Sequence, residues 1–364
     1  MRIILSYAAE YDKGEGIHFE RVLRRLGHEV TAVNSSCHSE SSISSEGTTL
    51  GFRPEVDIDK VICHVGRADL FLYVEPLGLI PYRLEHSPIP TACVISDVHR
   101  NLAARQTLSL LFDNVFLYQR SYLRKFKKHA EANVHWFPWS CDLAVFRDLG
   151  CRRDIDVAFV GQLFEANSQR RRILSQLSAI VRVNDQRKYL QAEIPGIYSR
   201  AKVVINMPIG NDLNARVFEA ISCGAMLLTR AGADGQDALF SAGHHYVTYD
   251  SDTDLIEKVR YYLAHEQERL AIAQAGHAEV LKHHSLELRL KDLLVKIAES
   301  PSNGAPARRL SRRELIKTYA AIHERNGNVD ALLALAAKQE DALNRFTLIR
   351  MGAKSVVRRV LLSW

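Results

Sequence analysis

Short, wholly apolar runs alternate with amphipathic segments from the first residue to about residue 300, and this alternation limits the fold more than any other feature. RIILSY, HEVTAV, DLFLYV, TACVIS and NVFLYQ recur through the first 120 residues. DVAFVG, AKVVINM, AMLLT and HHYVTY recur between residues 156 and 249. Runs of this length without polar alternation are strands buried on both faces, as in a parallel sheet covered by helices. The segments between them carry helical patterns. IHFERVLRRLG sets Ile17, Val22, Leu23 and Leu26 on one stripe and stops at Gly27. SQRRRILSQLSAI, ARVFEAISC and DTDLIEKVRYYLAH follow in the second half, and QERLAIAQAGHAEVLKHH ends it. The chain therefore predicts an α/β fold of two consecutive units, 1–150 and 151–300, with a cleft between them. In open parallel sheets, ligands bind at the carboxyl ends of the strands.

Two polar stretches punctuate this order. The Ser-rich segment 35–49 predicts a long loop, because it cannot build a core. SPSNGAPA, at 300–307, predicts a linker to a helical tail, 301–364. The tail also carries the charge. From Pro301 to Trp364 there are 12 Lys and Arg against 5 Asp and Glu, leaving 36 against 37 in the first 300 residues. A near-neutral body excludes a nucleic-acid-binding core with a basic face of its own. No apolar run approaches the ~20 residues of a membrane span. The first residues read as a strand rather than a signal peptide. The six cysteines form no CxxC pair, and several sit in apolar surroundings, so a reducing cytoplasm is expected.

The most informative stretch is VINMPIGNDLNARVFEAISCGAMLLT, residues 204–229. A buried strand ends in a polar loop, and a helix begins at once, so its free N–H groups near Asn214, Ala215 and Arg216 face the strand ends. Such a terminus suits a phosphate. Glu219, one turn in, can accept hydrogen bonds from the two hydroxyls of a ribose. Spacing leaves a second reading open, in which Glu219 pairs with Arg216 at i,i+3 on a structural helix.

The run from Tyr198 to Thr229 resembles the C-terminal domain of group-1-type glycosyltransferases. It is most similar to the spore-maturation-protein-like subgroup, with a Tyr before a strand ending in Asn, then R-V-F-E, then Cys-Gly and a strand. DVAFVGQ with RRRILSQL, the run from Tyr249 to Leu294, and FDNVFLYQRSYLRKFKKH with VHWFPWSCDLAVF extend the resemblance over nearly all of 55–297. It implies a GT-B fold, two Rossmann-like domains facing a cleft, and transfer of a sugar from a nucleotide-sugar. It further implies that Glu219 holds the donor ribose and that Arg216 opens the helix. Gly161 would let backbone approach the donor, and Arg170 would meet the pyrophosphate; a solvated helix face is the other reading of Arg170. Asn211, with Asp212 beside it, stands where many group-1 enzymes carry a second glutamate. The grip on the donor sugar and the stereochemistry are therefore not implied.

In the first half, VISDVHRN ends a strand and enters a helix. His99 is the candidate general base for an acceptor hydroxyl, with Asp97 to orient it or act itself; an N-cap aspartate with a surface histidine is the other reading. The loop Asp12–Gly16 is a further place for the acceptor. His244–His245 and His283–His284 lack carboxylate or Cys partners at ligand spacing, so no metal is expected. The nucleotide-sugar is a substrate, and no cofactor is expected. Residues 120–129 and the tail mix cations with aromatic and aliphatic residues. A solvated face is expected for the first. The tail leaves open a helix on an anionic membrane or a protein contact. The expected protein is thus a cytoplasmic glycosyltransferase of cell-surface glycan synthesis, or one peripheral to the inner membrane face. It would act on a hydroxyl of a glycan, glycolipid or protein; the alternative is a non-catalytic nucleotide- or sugar-binding protein on the same fold.

Overall fold

The structure, a computed structural model, describes residues 1–8, 15–35, 42–44, 47–130, 133–163, 168–300, 304–326, 328–337 and 345–354. Asp12, Lys13 and Gly14 of the expected acceptor loop, much of the Ser-rich segment and the last ten residues lie outside them. The chain divides into two units, one of residues 1–137 and 292–364, the other Pro138–Lys291.

The first unit holds β1 (Arg2–Ser6), β2 (Glu29–Ser35), β3 (Ser42–Ser44), β4 (Gly47–Phe52), β5 (Leu70–Val74), β6 (Thr91–Ile95), β7 (Asn114–Leu117) and β8 (Asn133–Trp136). Their order is β3-β4-β2-β1-β5-β6-β7-β8. All neighbours are parallel except β3 with β4. The strand order reverses between β1 and β5, the switch point of a doubly wound sheet. Every residue of β5, β6 and β7 is buried, as their uninterrupted apolar runs predict.

Helix α1 (Glu15–Arg25) lies against β1 and β2, and α2 (Ile58–Val65) precedes β5. Helices α3 (Leu102–Ser109) and α4 (Leu123–Ala130) flank β7 in sequence. Gly16, in the first turn of α1, has the Tyr7 ring where a Cβ would stand. Tyr7 in turn donates 2.5 Å to the buried Glu20, which also holds Arg24 at 2.7 Å. In α4, Phe126 is fully buried while Arg124, Lys125, Lys127 and Lys128 are exposed, the solvated face expected there.

The second unit has one parallel sheet, β12-β11-β10-β9. Its strands are β9 (Ile155–Ala158), β10 (Ala201–Asn206), β11 (Met226–Arg230) and β12 (Val247–Tyr249). Val183 bridges to Val157 in parallel on the free side of β9, so the order reverses between β9 and β10. Helices α5 (Ser168–Ser178), α6 (Ile194–Arg200), α7 (Ala215–Ser222), α8 (Asp252–Ala264) and α9 (Glu266–His283) surround it.

The division differs from the expected one in two places. The first boundary falls at Phe137/Pro138, because Cys141 and Phe146 bury into the core of the second unit. The chain returns to the first unit within α10 (Leu286–Glu299), and residues 301–364 are not a separate tail. Helices α11 (Arg312–Asn326) and α12 (Val329–Ala337) place Tyr319, Ile322, Leu332 and Leu335 in the core of the first sheet. Tyr82 donates 3.0 Å to the Ala331 carbonyl, and Tyr319 donates 2.7 Å to Glu85. An amphipathic helix does not name its partner, so the linker composition at 300–307 pointed to a separation that the packing abolishes.

Two predictions follow from this packing. Gly16→Ala puts a methyl group into the Tyr7 ring and should cost ~1–3 kcal/mol, read as a lower urea midpoint. His323, 1% exposed in α11, is held by burial at a pKa of about 4, below its ordinary 6.5. The folded state thus keeps the ring neutral where the unfolded chain protonates it. Its contribution is complete above pH 6.5 and declines as pH falls toward 4, by up to ~3 kcal/mol. Urea midpoints between pH 7.5 and 4.5 should show this fall, and His323→Gln should lose its share of it.

Candidate donor site

The switch point of the second unit gathers the residues that its sequence singled out. Strand β9 ends at Ala158 and runs on through Phe159 and Val160 to Gly161; β10 ends at Asn206. Helix α7 starts directly after the loop 208–214 and carries Arg216 in its first turn. The Arg216 guanidinium donates from Nε to the Val160 carbonyl at 2.9 Å and from Nη1 to Asn206 Oδ1 at 2.6 Å. Burial raises the pKa of the nearby Tyr198 hydroxyl, and the Arg216 charge opposes that rise. One side chain therefore ties together both strand ends and the helix that leaves them.

Arg170, from the first turn of α5, reaches the same place. It donates to the carbonyls of Gln162, at 3.0 Å, and Met207. Both guanidinium groups lie over the Phe159 ring, Arg216 at 4.8 Å and Arg170 at 5.6 Å from its centroid. Among the described residues neither forms an ion pair with a carboxylate; their partners are neutral oxygens. Burial, and next the Arg216 charge beside it, lower the Arg170 pKa. Two half-buried cations side by side, satisfied only by dipoles, repel each other until an anion joins them.

The remaining nominated residues occupy the rim. Asn214 is the N-cap of α7 in extended backbone, and its Nδ2 donates 3.2 Å to Asn206 Oδ1 instead of capping. Asn206 Nδ2 donates to Thr229, so its Oδ1 is turned toward Arg216 and Asn214. Asn211 is exposed and accepts the Asp234 N–H at 2.8 Å through its carbonyl; Asp212 follows it, half-buried. Glu219 is half-buried one turn into α7, and burial, with its carboxylate second, pushes the Cys223 thiol up to about 12. A Cβ at Gly161 would stand 2.7 Å from Arg216 Nη2 and from Phe159 Cζ, so this glycine leaves the space that the guanidinium occupies.

Asp97 and His99 belong to the first unit, just past the end of β6. Asp97 has φ 48° and ψ 35°, left-handed backbone rare for a non-glycine residue, and its side chain makes no capping bond. The N-cap role that was the other reading is not present; the carboxylate instead pairs with Arg100 at 3.3 Å. His99 is exposed and makes no hydrogen bond or ion pair among the described residues.

The histidine pairs have structural partners. His284 Nε2 lies 3.1 Å from the Leu239 carbonyl and Nδ1 lies 2.8 Å from Arg289. His245 Nδ1 accepts from the Ser241 N–H at 3.2 Å. Among the described residues, no three His, Cys, Asp or Glu side chains converge as metal ligands would. Phe159, Asn206 and Tyr198 belong to the site but were not nominated. Tyr198 and Asn206 are the two fixed points of the sequence pattern around β10, and that spacing was the available signal.

Residues 145–295 match the glycosyl transferase-like family. No curated protein sequence matches the chain. Among solved structures, an Anabaena protein, HepE, in complex with UDP and glucose is 11% identical over 82% of this chain and 99% of its own, with a TM-score of 0.60. A glycosyltransferase from Rickettsia africae is 11% identical over 83% and 99%, with a TM-score of 0.59. Sucrose-phosphate synthase from Thermosynechococcus elongatus is 12% identical over 83% and 100%, with a TM-score of 0.57. At such identities the likeness is one of fold. Two Rossmann-like units of this topology form the GT-B fold. The chain thus has the GT-B fold, and residues 145–295, which cover most of its second unit, are glycosyl transferase-like.

Millimolar pyrophosphate should raise the melting temperature, since it binds the folded state alone. Gly161→Ala should move the melting temperature of the free protein little, because a flexible guanidinium can yield. It should nevertheless abolish the pyrophosphate shift by displacing Arg216.

Proposed function

We propose that the β9–β10 switch point holds the diphosphate of the donor between Arg170 and Arg216, and that Glu219 holds its ribose. The observation that carries this is the pair of guanidinium groups stacked on Phe159, with no carboxylate partner among the described residues. Gly161 gives room for that pair, and the N-terminus of α7 at Asn214 adds its dipole to the same charge. Asn211 and Asp212, at the loop that precedes α7, border the donor sugar.

In transfer, the bond from the anomeric carbon to the β-phosphate oxygen breaks and a bond to the acceptor oxygen forms. The departing diphosphate gains charge as it leaves, so preformed cations and dipoles lower the barrier. The acceptor hydroxyl loses its proton to His99 or Asp97. The acceptor is a hydroxyl of a glycan, glycolipid or protein, and the spore-maturation-like pattern around Tyr198–Thr229 supports a role in synthesis of a surface glycan. It works in the cytoplasm. The exposed Phe346 and Ile349 beside Arg350 and Lys354 support a peripheral contact with the inner membrane face. No described helix is long and apolar enough to cross a membrane.

A thermal-shift series with UDP, GDP, dTDP and CMP tests the donor site on wild type, Glu219→Ala and Arg216→Ala. One nucleotide should stand out, since a ligand at 100 times its Kd stabilises by ~2.7 kcal/mol. Glu219→Ala should lose most of that shift, and Arg216→Ala should lose the share owed to the diphosphate. Binding without any turnover of the matching nucleotide-sugar would favour a protein that keeps the fold and only binds. No shift with any nucleotide would return Glu219 to a structural role.

A further inference from the structure

A buried charge network in the first unit connects its C-terminal helices to the turn that carries Asp97 and His99. Glu75 follows β5 and its side chain is 1% exposed. Its Oε1 takes Arg105 of α3 at 3.4 Å and a short hydrogen bond from Arg325 of α11. Its Oε2 accepts the backbone N–H of Ser96 at 3.2 Å. The Ser96 carbonyl accepts from Arg105 Nε at 2.9 Å. Both backbone polar groups of Ser96 are therefore held by this network, one residue before Asp97 enters its left-handed conformation. Burial lowers the Arg105 pKa, with Glu75 and Asp97 opposing it and Arg325 adding to it.

Residues kept in left-handed backbone persist only where their surroundings hold them. At this turn the surroundings include Gln119, whose Oε1 accepts the Val98 N–H at 3.4 Å, and the buried pair of Glu75 and Arg105. Arg325 lies 250 residues from Glu75 in sequence.

Resting on the assignment of Asp97 and His99 to the acceptor, we propose that Arg325 is a positioning residue for transfer. Through Glu75 it holds the Ser96 backbone and so sets where Asp97 and His99 stand. The C-terminal helices are on this account part of the catalytic scaffold and not an appendage. Without Arg325, Glu75 keeps one cationic partner, its carboxylate is less firmly fixed, and its hold on the Ser96 amide weakens.

The test uses the full chain as Arg325→Ala and Arg325→Lys, with Asp97→Asn and His99→Ala alongside. Hydrogen exchange of the segment 93–101 is read in all of them. So are the affinity for the nucleotide identified by thermal shift and the turnover of its sugar ester. In Arg325→Ala, exchange at Ser96 should rise about tenfold. Turnover should fall roughly ten- to a hundredfold, as small misplacements of reacting groups do. Nucleotide affinity should stay within about twofold, because the donor groups belong to the other unit. Arg325→Lys, which restores the charge, should recover most of both losses. A folded Arg325→Ala with unchanged Ser96 exchange overturns the proposal, as does a loss of nucleotide affinity that accounts for the loss of turnover. Full turnover in both Asp97→Asn and His99→Ala overturns the assignment of those residues instead, and the exchange result then still decides whether Arg325 braces the turn. Should the alanine variant fail to fold, Arg325→Gln carries the same comparison.

Discussion

The second unit depends on the hydrogen bonds of one arginine. Arg216 joins the Val160 carbonyl past β9, the Asn206 side chain at the end of β10 and the first turn of α7. In a parallel sheet the strand ends at a switch point diverge, and their terminal carbonyls and side chains have no strand partner. A guanidinium with five donors in a plane can serve several of them at once. Doing so spends its hydrogen bonds on neutral oxygens and leaves its charge uncompensated. Arg170 repeats the arrangement on the carbonyls of Gln162 and Met207. On the proposed assignment, the groups that finish the architecture are the groups that would hold the donor diphosphate, so structure and binding would share the same atoms.

The first unit answers a similar demand in a different way. Its turns after β5 are braced by ion pairs and a hydrogen bond, two of them from far along the chain. Glu75 is neutralised from α3 and α11, and Glu85 accepts from Tyr319 of α11. The core of this unit includes Tyr319, Ile322, Leu332, Leu335 and Leu348, so the sheet is covered partly by helices that the chain supplies only after completing the second unit. Such contacts between distant segments are slow to form and, once formed, hold the termini of the domain together. The second unit is inserted within the first in this sense.

Much of the candidate donor site was legible because its residues are close in sequence. Asn214, Arg216 and Glu219 share one strand-loop-helix unit, and their separations alone place them at a strand end. Arg170 and Gly161 were reached by pattern. Phe159 was not, since an aromatic in a buried strand carries no mark that two guanidinium groups will stack on it. The partnership of Arg105, Glu75 and Arg325 left no trace either. A glutamate before a proline, an arginine in one helix and another in the C-terminal region look like ordinary surface charges until folding buries them together. Asp97 was legible as a residue at a strand end, but its left-handed backbone was not, because nothing in VISDVHRN requires it.

The sequence by itself determined two sheets that are parallel except at β3, since strands buried on both faces read as uninterrupted apolar runs between amphipathic helices. It determined as well that a polar loop and helix start follow β10, where the candidate donor site lies. The tertiary structure decided what periodicity does not encode. It moved the boundary to Pro138, returned the last helices to the first sheet, and set which charges would be neutralised and which left open. A repeating apolar pattern states that a face will be buried and not what will bury it. Charge pairing is a relation between residues hundreds of positions apart, and it exists only once the chain has closed.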